Sequence, residues 1–291
     1  NRCTQIMSTQ EFEVRRVEVS DKAIGEISCL LQRVWPRERK FSESFLRWLY
    51  RDNPVGHAVG FNAYARDILV AHYVTVPIEV EFYSKRVRGL LSLNTATHPE
   101  FQGRGLFTKL ATKTYEVAST EGYALVAGVA NANSTPGFTG KLKFQLVGSL
   151  DARIGMGTVP ASAEGAVHFR RVWSSASLQW RLSAPGAKYC RRVEGEHTVV
   201  ESDTTYPLMR AVLARLDGTA RDAAEMLPRA RVSPRVVIGS FGPVKWPLSY
   251  PVLPPRLRSS PLNFILKRLD GGTELLNPGA LRFEAIDFDA F

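Results

Sequence analysis

A glycine-rich turn between a strand-like run and an amphipathic helix pattern constrains this chain more than any other feature. The run ends at Thr97, the turn is Gln102-Gly103-Arg104-Gly105, and the helix pattern covers residues 105–120. Backbone N–H groups of such a turn and of the first helical turn converge on one point, where the helix dipole adds partial positive charge. Glycines let an anion approach without meeting a Cβ, and Arg104 adds a charge-assisted contact. The turn therefore predicts a pyrophosphate-binding site.

Two other phosphate-binding motifs do not fit the sequence. A P-loop requires Gly-Lys followed by Ser or Thr, but Leu142 follows Gly140-Lys141. A dinucleotide-binding turn requires a third glycine three residues after the second, and Thr108 stands there after Gly105. The predicted site is therefore of a different kind.

Apolar periodicity and capping residues predict an α/β order around the turn. Predicted strands cover residues 11–19, 57–64, 68–76, 78–82, 88–97, 123–130 and 144–147, and predicted helices cover 20–34, 42–52, 105–120 and 134–142. Ser20 or Asp21 caps the first helix and Ser42 opens the second. The order is β, α, α, several strands, and then β, α, β, α, β.

After residue 150 the sequence changes character. Residues 155–165 are small and loop-like, which makes them a candidate boundary between a first half, 1–150, and a second half, 151–291. The second half is predicted to contain strands at 166–172, 198–201, 235–240, 263–269 and 281–288, and a helix at 207–216. An echo of Phe45-Leu46-Arg47-Trp48 in Ser177-Leu178-Gln179-Trp180 suggests that the second half is a weak copy of the first; chance is the alternative.

The turn and its surroundings resemble the GNAT acetyltransferase superfamily. Gln102-Gly103-Arg104-Gly105 after His98-Pro99-Glu100 is similar to its acyl-CoA loop, Gln/Arg-x-x-Gly-x-Gly/Ala, with Phe107 at the last position. A second block follows: a strand, then Asn131, Asn133 and Ser134 before a short helix that ends Lys141-Leu142-Lys143-Phe144. The resemblance covers residues 11–150. It implies an α/β (α+β) GNAT fold with a central mixed, splayed sheet, followed by a second, smaller and degenerate GNAT-like α/β half.

The resemblance also implies a co-substrate, acetyl-CoA or another acyl-CoA. Its pantetheine arm would lie between two splayed strands that end near Thr97 and Ala130, and a neutral amine would attack the thioester directly while a backbone N–H polarises the carbonyl. The implied cofactor-binding residues are Ala96, Thr97, His98, Gln102, Gly103, Arg104, Gly105, Leu106, Phe107, Thr108, Asn131 and Asn133. The chain is then an N-acyltransferase.

The catalytic acid and base are open at this stage. Members of the superfamily often use a tyrosine to protonate the leaving thiolate, but Phe138-Thr139 stands at that place, so water serves or the thiolate leaves unaided. Imidazole bases titrate near neutral pH, which makes His72 and His98 candidates. A hydrogen-bonded half-buried histidine and a turn residue are the respective alternatives.

Two further residues are weaker catalytic candidates. Glu100 is a third candidate base, with a surface position as its alternative. Asn94 is a candidate because it stands on the strand past which the acceptor would move.

The amino-acid composition limits which classes of ligand and which cellular location we expect. The net charge is +10, which favours anionic ligands or a solvated basic surface. Lysines and arginines occur only in short doublets, which argues against nucleic acid. The three cysteines lack paired spacing, so we expect no disulfide framework or metal site, and a cytoplasmic location. No apolar run is long enough to span a bilayer, Met7 is a candidate natural start, and an oligomer is compatible with the sequence.

The expected partner is a small-molecule amine. The segment 45–54 and the phrase Thr95-Ala96-Thr97-His98-Pro99 more distantly resemble long, two-domain bacterial GNAT proteins that acylate nucleotide-linked amino sugars. Plausible contacts to such an acceptor are Trp180, Arg181, Tyr189 and Arg191. The alternatives are another small amine, an antibiotic, a protein amino group, or a catalytically degenerate binding module.

Overall fold

The computed structural model describes residues 11–38, 40–160, 166–194, 197–204, 206–217, 233–258 and 260–288. Met7 and part of the 155–165 segment lie outside these ranges. The helices are α1 (Asp21–Val34), α2 (Glu43–Tyr50), α3 (Leu106–Thr120) and α4 (Ser175–Leu182). The strands are β1 (Glu13–Arg16), β2 (Val59–Ala65), β3 (Ile68–Phe82), β4 (Lys85–Thr97), β5 (Leu125–Ala130), β6 (Gln145–Ser149), β7 (Asp151–Gly155), β8 (Phe169–Arg171), β9 (Tyr189–Glu194), β10 (His197–Asp203), β11 (Arg210–Asp217), β12 (Arg235–Phe241), β13 (Asn263–Arg268) and β14 (Leu281–Glu284).

The first two helices begin at the predicted caps. Ser20 Oγ accepts a hydrogen bond from the N–H of Ala23, and Ser42 Oγ accepts one from Phe45. The apolar faces of α1 and α2 are buried in one core cluster, whereas α3 is buried in a second cluster. Helices therefore cover two faces of the first half's sheet.

Strands β1 to β4 form an antiparallel succession, and β5 lies parallel to β4. Strand β3 is continuous, although Pro77 led to a prediction of two separate strands. The neighbouring strand β2 has already ended opposite Thr75. The missing N–H of Pro77 therefore falls where no ladder partner requires it.

The second half provides a strand to the sheet of the first. Strand β13, from the second half, lies antiparallel between β5 and β6 of the first. Strand β7, which begins directly after the first half, pairs antiparallel with β12 and bridges to Val252. The segments that lead into β7 and β13 lie side by side, where the N–H of Leu150 donates to the carbonyl of Leu262 at 2.8 Å. The sheet of the first half is thus completed by a strand of the second.

The second half repeats the strand order of the first. Strands β9, β10 and β11 are antiparallel and β12 lies parallel to β11, as β5 does to β4. The residues of the sequence echo meet: the rings of Trp48 and Trp180 stack with centroids 4.6 Å apart. Each indole Nε1 donates to the other residue's carbonyl, at 2.9 and 3.0 Å. This reciprocal contact, called the tryptophan clasp below, supports a repeat rather than chance.

Several predicted elements of the second half are wrong or incomplete. Residues 207–216, predicted as a helix, form strand β11, because their run of small and apolar residues is buried between β10 and β12. Such a short apolar run has no decisive periodicity. Strands β7 and β9 and helix α4 were not predicted, and the predicted helix at 134–142 contains a π-helical turn at Gly137–Lys141.

None of the helices in the described part of the chain combines the length and the apolar character that a bilayer crossing requires.

Candidate active site

The site is built around a fork between two parallel strands. Strands β4 and β5 pair only from Gly89–Leu125 to Ser92–Gly128. Beyond that point β4 continues against β3, and β5 continues against β13. The carboxyl ends of the two strands therefore diverge, as the sequence predicted for the strands that end near Thr97 and Ala130.

A β-bulge distorts β4 just past the fork. Leu93 faces Val74 and Ala96 faces His72, so that two residues of β4 stand opposite the single residue Tyr73. Asn94, one of the two, has a φ of 48°, which a non-glycine residue rarely adopts. Bulges of this kind re-aim side chains and backbone groups and are frequent next to active sites.

The predicted anion-binding loop follows β4 directly. Gly103 and Gly105 both have φ of 75°, and a Cβ added at either would meet no atom within 4 Å. Gly105 precedes α3 without a side-chain cap, so the first N–H groups of the helix face open space. Left-handed glycines and an uncapped helix start are what an anion cradle requires.

The side chains of the loop anchor it to the fold. Gln102 Nε2 donates to the Thr97 carbonyl at 3.3 Å, and the Arg104 guanidinium lies 5.0 Å from the ring centroid of Phe101. Leu106 is buried, and Phe107 makes an edge contact with Phe138. Leu106 and Phe107 therefore pack against the fold, whereas residues 102–105 are exposed.

The second predicted block lies at the end of β5. Asn131 Oδ1 accepts hydrogen bonds from the N–H groups of Asn133 and Ser134 at 3.0 and 2.9 Å, and the side chain of Asn133 is exposed. Since β4 and β5 are parallel, this turn and the glycine loop lie at the same edge of the sheet. Phe138 is buried against Phe144, so the position at which a tyrosine acid would be expected is apolar.

A buried hydrogen-bond chain reaches the bulge from the α1/α2 side. Asn94 Nδ2 donates to the Tyr50 hydroxyl at 3.0 Å, and that hydroxyl lies 3.2 Å from His72 Nε2. His72 Nδ1 lies 2.7 Å from Asn62 Oδ1. Since an amide oxygen only accepts, Nδ1 carries the proton and Nε2 accepts from Tyr50.

The candidate bases have different surroundings. His72 is 1% exposed, and burial lowers its pKa to about 3, so the imidazole is neutral at pH 7. His98 is half-buried at the start of the glycine loop, where Nδ1 accepts from the N–H of Glu100 at 3.3 Å and Nε2 lies 3.3 Å from Arg33 Nη1. Glu100 is exposed.

Sequence reasoning missed two groups at the fork. Tyr50 had no recognisable signal, because its role depends on where α2 meets β3 and β4. On the other face, the Tyr73 hydroxyl lies 2.9 Å from Ser92 Oγ and 2.5 Å from the Tyr115 hydroxyl. Burial raises the pKa of Tyr73 to about 12, so this cluster is neutral and hydrogen-bonded under the fork.

The equivalent fork of the second half is occupied by side chains. Strands β11 and β12 pair from Arg210–Arg235 to Val212–Val237 and then diverge. Past that point the N–H of Arg215 donates to Glu284 Oε2, and its carbonyl accepts from Arg282 Nη2, both at 3.1 Å. Two cavities adjoin these side chains, one of about 20 Å³, the space of a single water, and one of about 720 Å³. Side chains of β14 thus engage the backbone of β11 past the point where the two strands diverge.

Three of the four residues suggested as acceptor contacts are engaged inside the protein. Trp180 belongs to the tryptophan clasp. Arg181 is 5% exposed, its Nε donates to the Ile286 carbonyl at 3.0 Å, and its Nη1 donates to the Tyr189 hydroxyl at 3.0 Å. The suggestion is therefore wrong for Trp180 and Arg181, which are buried, whereas Tyr189 is half-buried and Arg191 lines a large cavity of the second half.

Comparison with known proteins agrees with this geometry. Residues 13–147 match the acetyltransferase (GNAT) domain family. The sequence matches no curated protein.

Solved structures resemble the chain over most of its length. A conserved protein of unknown function from Enterococcus faecalis V583 has a TM-score of 0.63 and 9% identity, over 89% of this chain and 73% of that one. A GCN5-related N-acetyltransferase from Anabaena variabilis ATCC 29413 has a TM-score of 0.61 and 10% identity, over 88% of this chain and 73% of that one. Eis1 from Mycobacterium abscessus has a TM-score of 0.60 and 12% identity, over 89% of this chain and 74% of that one. At such identities the likeness concerns the fold.

The family match covers the elements that build the site. Residues 13–147 match the acetyltransferase (GNAT) domain family, and the forked sheet with its glycine loop lies within this part of the chain.

Proposed function

We propose that the first half, residues 1–150, binds acyl-CoA in the β4–β5 fork and transfers the acyl group directly to a primary amine. The observation that carries this proposal is the contrast between the two forks. The first opens beside a glycine loop and an uncapped helix start, whereas Glu284 and Arg282 occupy the second. Residues 151–291 are then a degenerate GNAT-like half that supports the first and provides strand β13.

The cofactor would follow the open edge of β4. Its pantetheine arm pairs with backbone groups of residues 96–98 like an added strand, and Asn133 approaches from the β5 side. The pyrophosphate lies on the N–H groups of residues 102–108. Two left-handed glycines and the positive end of α3 suit that charge.

The chemistry needs a neutral amine beside the thioester. The amine nitrogen attacks the carbonyl carbon, a C–N bond forms, the C–S bond breaks, and the thiolate leaves with the electron pair and takes up a proton. A backbone N–H at the bulge stabilises the developing oxyanion. The amide nitrogen of Asn94 is held by Tyr50, so its amide oxygen is the group that orients the incoming amine.

We assign different roles to the two histidines. His72, buried and with a pKa of about 3, positions Tyr50 and Asn94 rather than accepting the amine proton. His98, half-buried beside the loop, is the candidate base, and water is the alternative.

A nucleotide-linked amino sugar is the narrower acceptor that the sequence resemblance suggests. A transfer assay that compares a nucleotide-linked amino sugar with simple amines and a protein amino group tests it. Acylation of none of these amines, with CoA still bound, would instead indicate a binding module.

The cofactor site is tested by Gly105→Asp. The new carboxylate would face the pyrophosphate, so we expect CoA affinity measured by calorimetry to fall at least about 100-fold. Gly122→Asp is the matched control, because Gly122 also has a left-handed φ, of 81°, and open space around it, but lies at the other end of α3. Both changes carry a similar backbone cost, of order 1 kcal/mol.

Unchanged CoA affinity in Gly105→Asp, or an equal loss in Gly122→Asp, would reject the proposed position of the cofactor. Circular dichroism of both variants shows whether the fold is retained.

A further inference from the structure

A large cavity in the described part of the chain lies far from the β4–β5 fork. It measures about 720 Å³, in the range of small-molecule sites. It lies among the β3–β4 hairpin, β8, the start of α4, β9, β11 and β14. Glu81, which lines it, and His72, at the bulge, are nine residues apart on β3, or roughly 30 Å at about 3.3 Å per residue. The cavity is therefore separate from the acyl-transfer site.

The lining of this cavity is strongly cationic. Six arginines face three carboxylates; the arginines are Arg86, Arg170, Arg171, Arg191, Arg215 and Arg282. The carboxylates, Glu81, Glu284 and Asp287, leave an excess of three positive charges. The amino-terminal end of α4, at Ser174 and Ser175, adds its partial positive charge to the same space.

Hydrogen bonds inside the protein already engage the three carboxylates. Glu81 accepts from Arg170 at 2.8 Å, and Glu284 accepts from Arg282 at 2.9 Å and from the N–H of Arg215. Asp287 accepts from Trp173 Nε1 at 3.0 Å. These acids therefore serve the fold. Arg86 also donates to Glu79, which lies outside the lining, at 2.8 Å, so the arginines keep an excess of two positive charges once Glu79 is counted.

Burial disfavours the charged forms of both signs in the lining. It raises the pKa of the Glu284 and Asp287 carboxyls, which favours their neutral forms. Burial and the nearby Arg181 lower the pKa of Arg171 to about 9. An anion in the cavity would offset both effects on Arg171, whose guanidinium also lies 3.8 Å from the ring centroid of Trp173.

We propose that this arginine-lined cavity binds a small organic polyanion that carries phosphate or carboxylate groups. Guanidinium groups pair with both kinds of anion in the same planar geometry. The site is independent of the proposed acyl transfer: it uses different elements of the fold, and the described lining includes no residue of the glycine loop or the bulge.

Calorimetric titration with pyrophosphate and with citrate tests the site. Saturating CoA is present, so that the glycine loop is occupied. We expect a salt-dependent affinity for at least one probe, and the tighter probe identifies phosphate or carboxylate as the preferred group. Absence of binding by both probes would overturn the proposal.

Substitutions at Ser175 provide a matched pair. Ser175 is exposed at the first position of α4, where an acidic residue suits the helix dipole, so Ser175→Glu should fold. Its charge in the cavity should weaken the probe about tenfold, whereas the neutral Ser175→Gln should bind within about twofold of wild type.

Arginine variants extend the test. Arg191→Ala should also weaken the probe, and Arg256→Ala, at an exposed arginine outside the cavity, should not. Equal affinities in wild type and Ser175→Glu would show that any binding occurs elsewhere. If CoA fails to bind, the proposed function fails, but the two Ser175 variants still report on the cavity.

Discussion

At the scale of single residues, the buried chain from Asn94 through Tyr50 to His72 links the bulge to the interior. Each member has a defined donor or acceptor role, so a fully buried histidine is retained without a charge. A buried polar group needs such partners, because an unmet one costs about 1–3 kcal/mol.

His72 makes the stability of the protein depend on pH. Its folded-state pKa is about 3, against about 6.5 in the unfolded chain, so below pH 6.5 the unfolded chain binds a proton that the folded protein does not. The contribution is fully present above pH 6.5 and is lost as the pH falls towards 3. Between pH 7.5 and 5, we expect wild type to lose about 2 kcal/mol more unfolding free energy than His72→Gln.

Urea denaturation at the two pH values measures this difference. His57 is exposed, so His57→Gln is the control and should keep the wild-type pH dependence. A His72→Gln variant with the same pH dependence as wild type would contradict the assignment of a neutral, buried imidazole.

The role of a residue could be predicted where it depends on backbone conformation. It was predicted less well where it depends on the direction in which the side chain points. Gly103 and Gly105 were assigned from the turn they form, and both adopt the left-handed conformation. His72 was assigned as a base from its place in a strand. A strand position does not reveal which core the side chain enters, nor that Tyr50 from a distant helix would meet it.

At the scale of elements, the tryptophan clasp joins α2 of one half to α4 of the other. Trp48→Phe would remove one of the donors to the Trp180 carbonyl and replace a stacked indole, so we expect a loss of about 1–3 kcal/mol of unfolding free energy. Trp180→Phe should cost a similar amount. Because the contact is reciprocal, the double variant should lose about 1 kcal/mol less than the sum.

Urea denaturation of the four proteins gives the coupling energy. Trp35 is half-buried against Phe41, and pairing Trp35→Phe with Trp180→Phe provides a cycle that should be additive. Additivity of Trp48→Phe and Trp180→Phe within about 0.5 kcal/mol would mean that the clasp contributes no coupling.

Helices with capping residues in the sequence could be predicted. Strands whose conformation depends on the strands beside them could not. Ser20 and Ser42 mark α1 and α2 in the sequence itself. Strand β11 shows the opposite case. Its small and apolar residues are compatible with a helix, and only its pairing with β10 and β12 makes it a strand. No local pattern indicates that β13 pairs with strands of the opposite half.

At the scale of the whole molecule, the position of β13 in the sheet of the first half makes the halves interdependent. A chain split between residues 156 and 157 leaves β7 on the first fragment and β13 on the second. Each fragment alone lacks a strand of its sheet, so we expect neither to fold to a stable monomer. Together they should form a one-to-one complex that binds one CoA, because side chains occupy the second fork.

Co-expression, gel filtration and calorimetry test this expectation. Wild-type CoA affinity in fragment 1–156 alone would show that β13 is dispensable. Two CoA molecules per complex would show that Glu284 and Arg282 do not close the second fork.

The position of β13 has a consequence for synthesis on the ribosome. Residues 1–150 emerge first, but the strand that separates β5 from β6 is residues 263–268, near the end of the described chain. Translation needs on the order of ten seconds to reach it, and meanwhile β5 presents an apolar, unpaired edge. Such an edge is a template for another chain. Nascent copies on one messenger RNA can therefore insert β13 either into their own sheet or into the sheet of a neighbouring copy, which is a domain swap. Slower elongation after residue 130 leaves the β5 edge unpaired for longer and favours the swap.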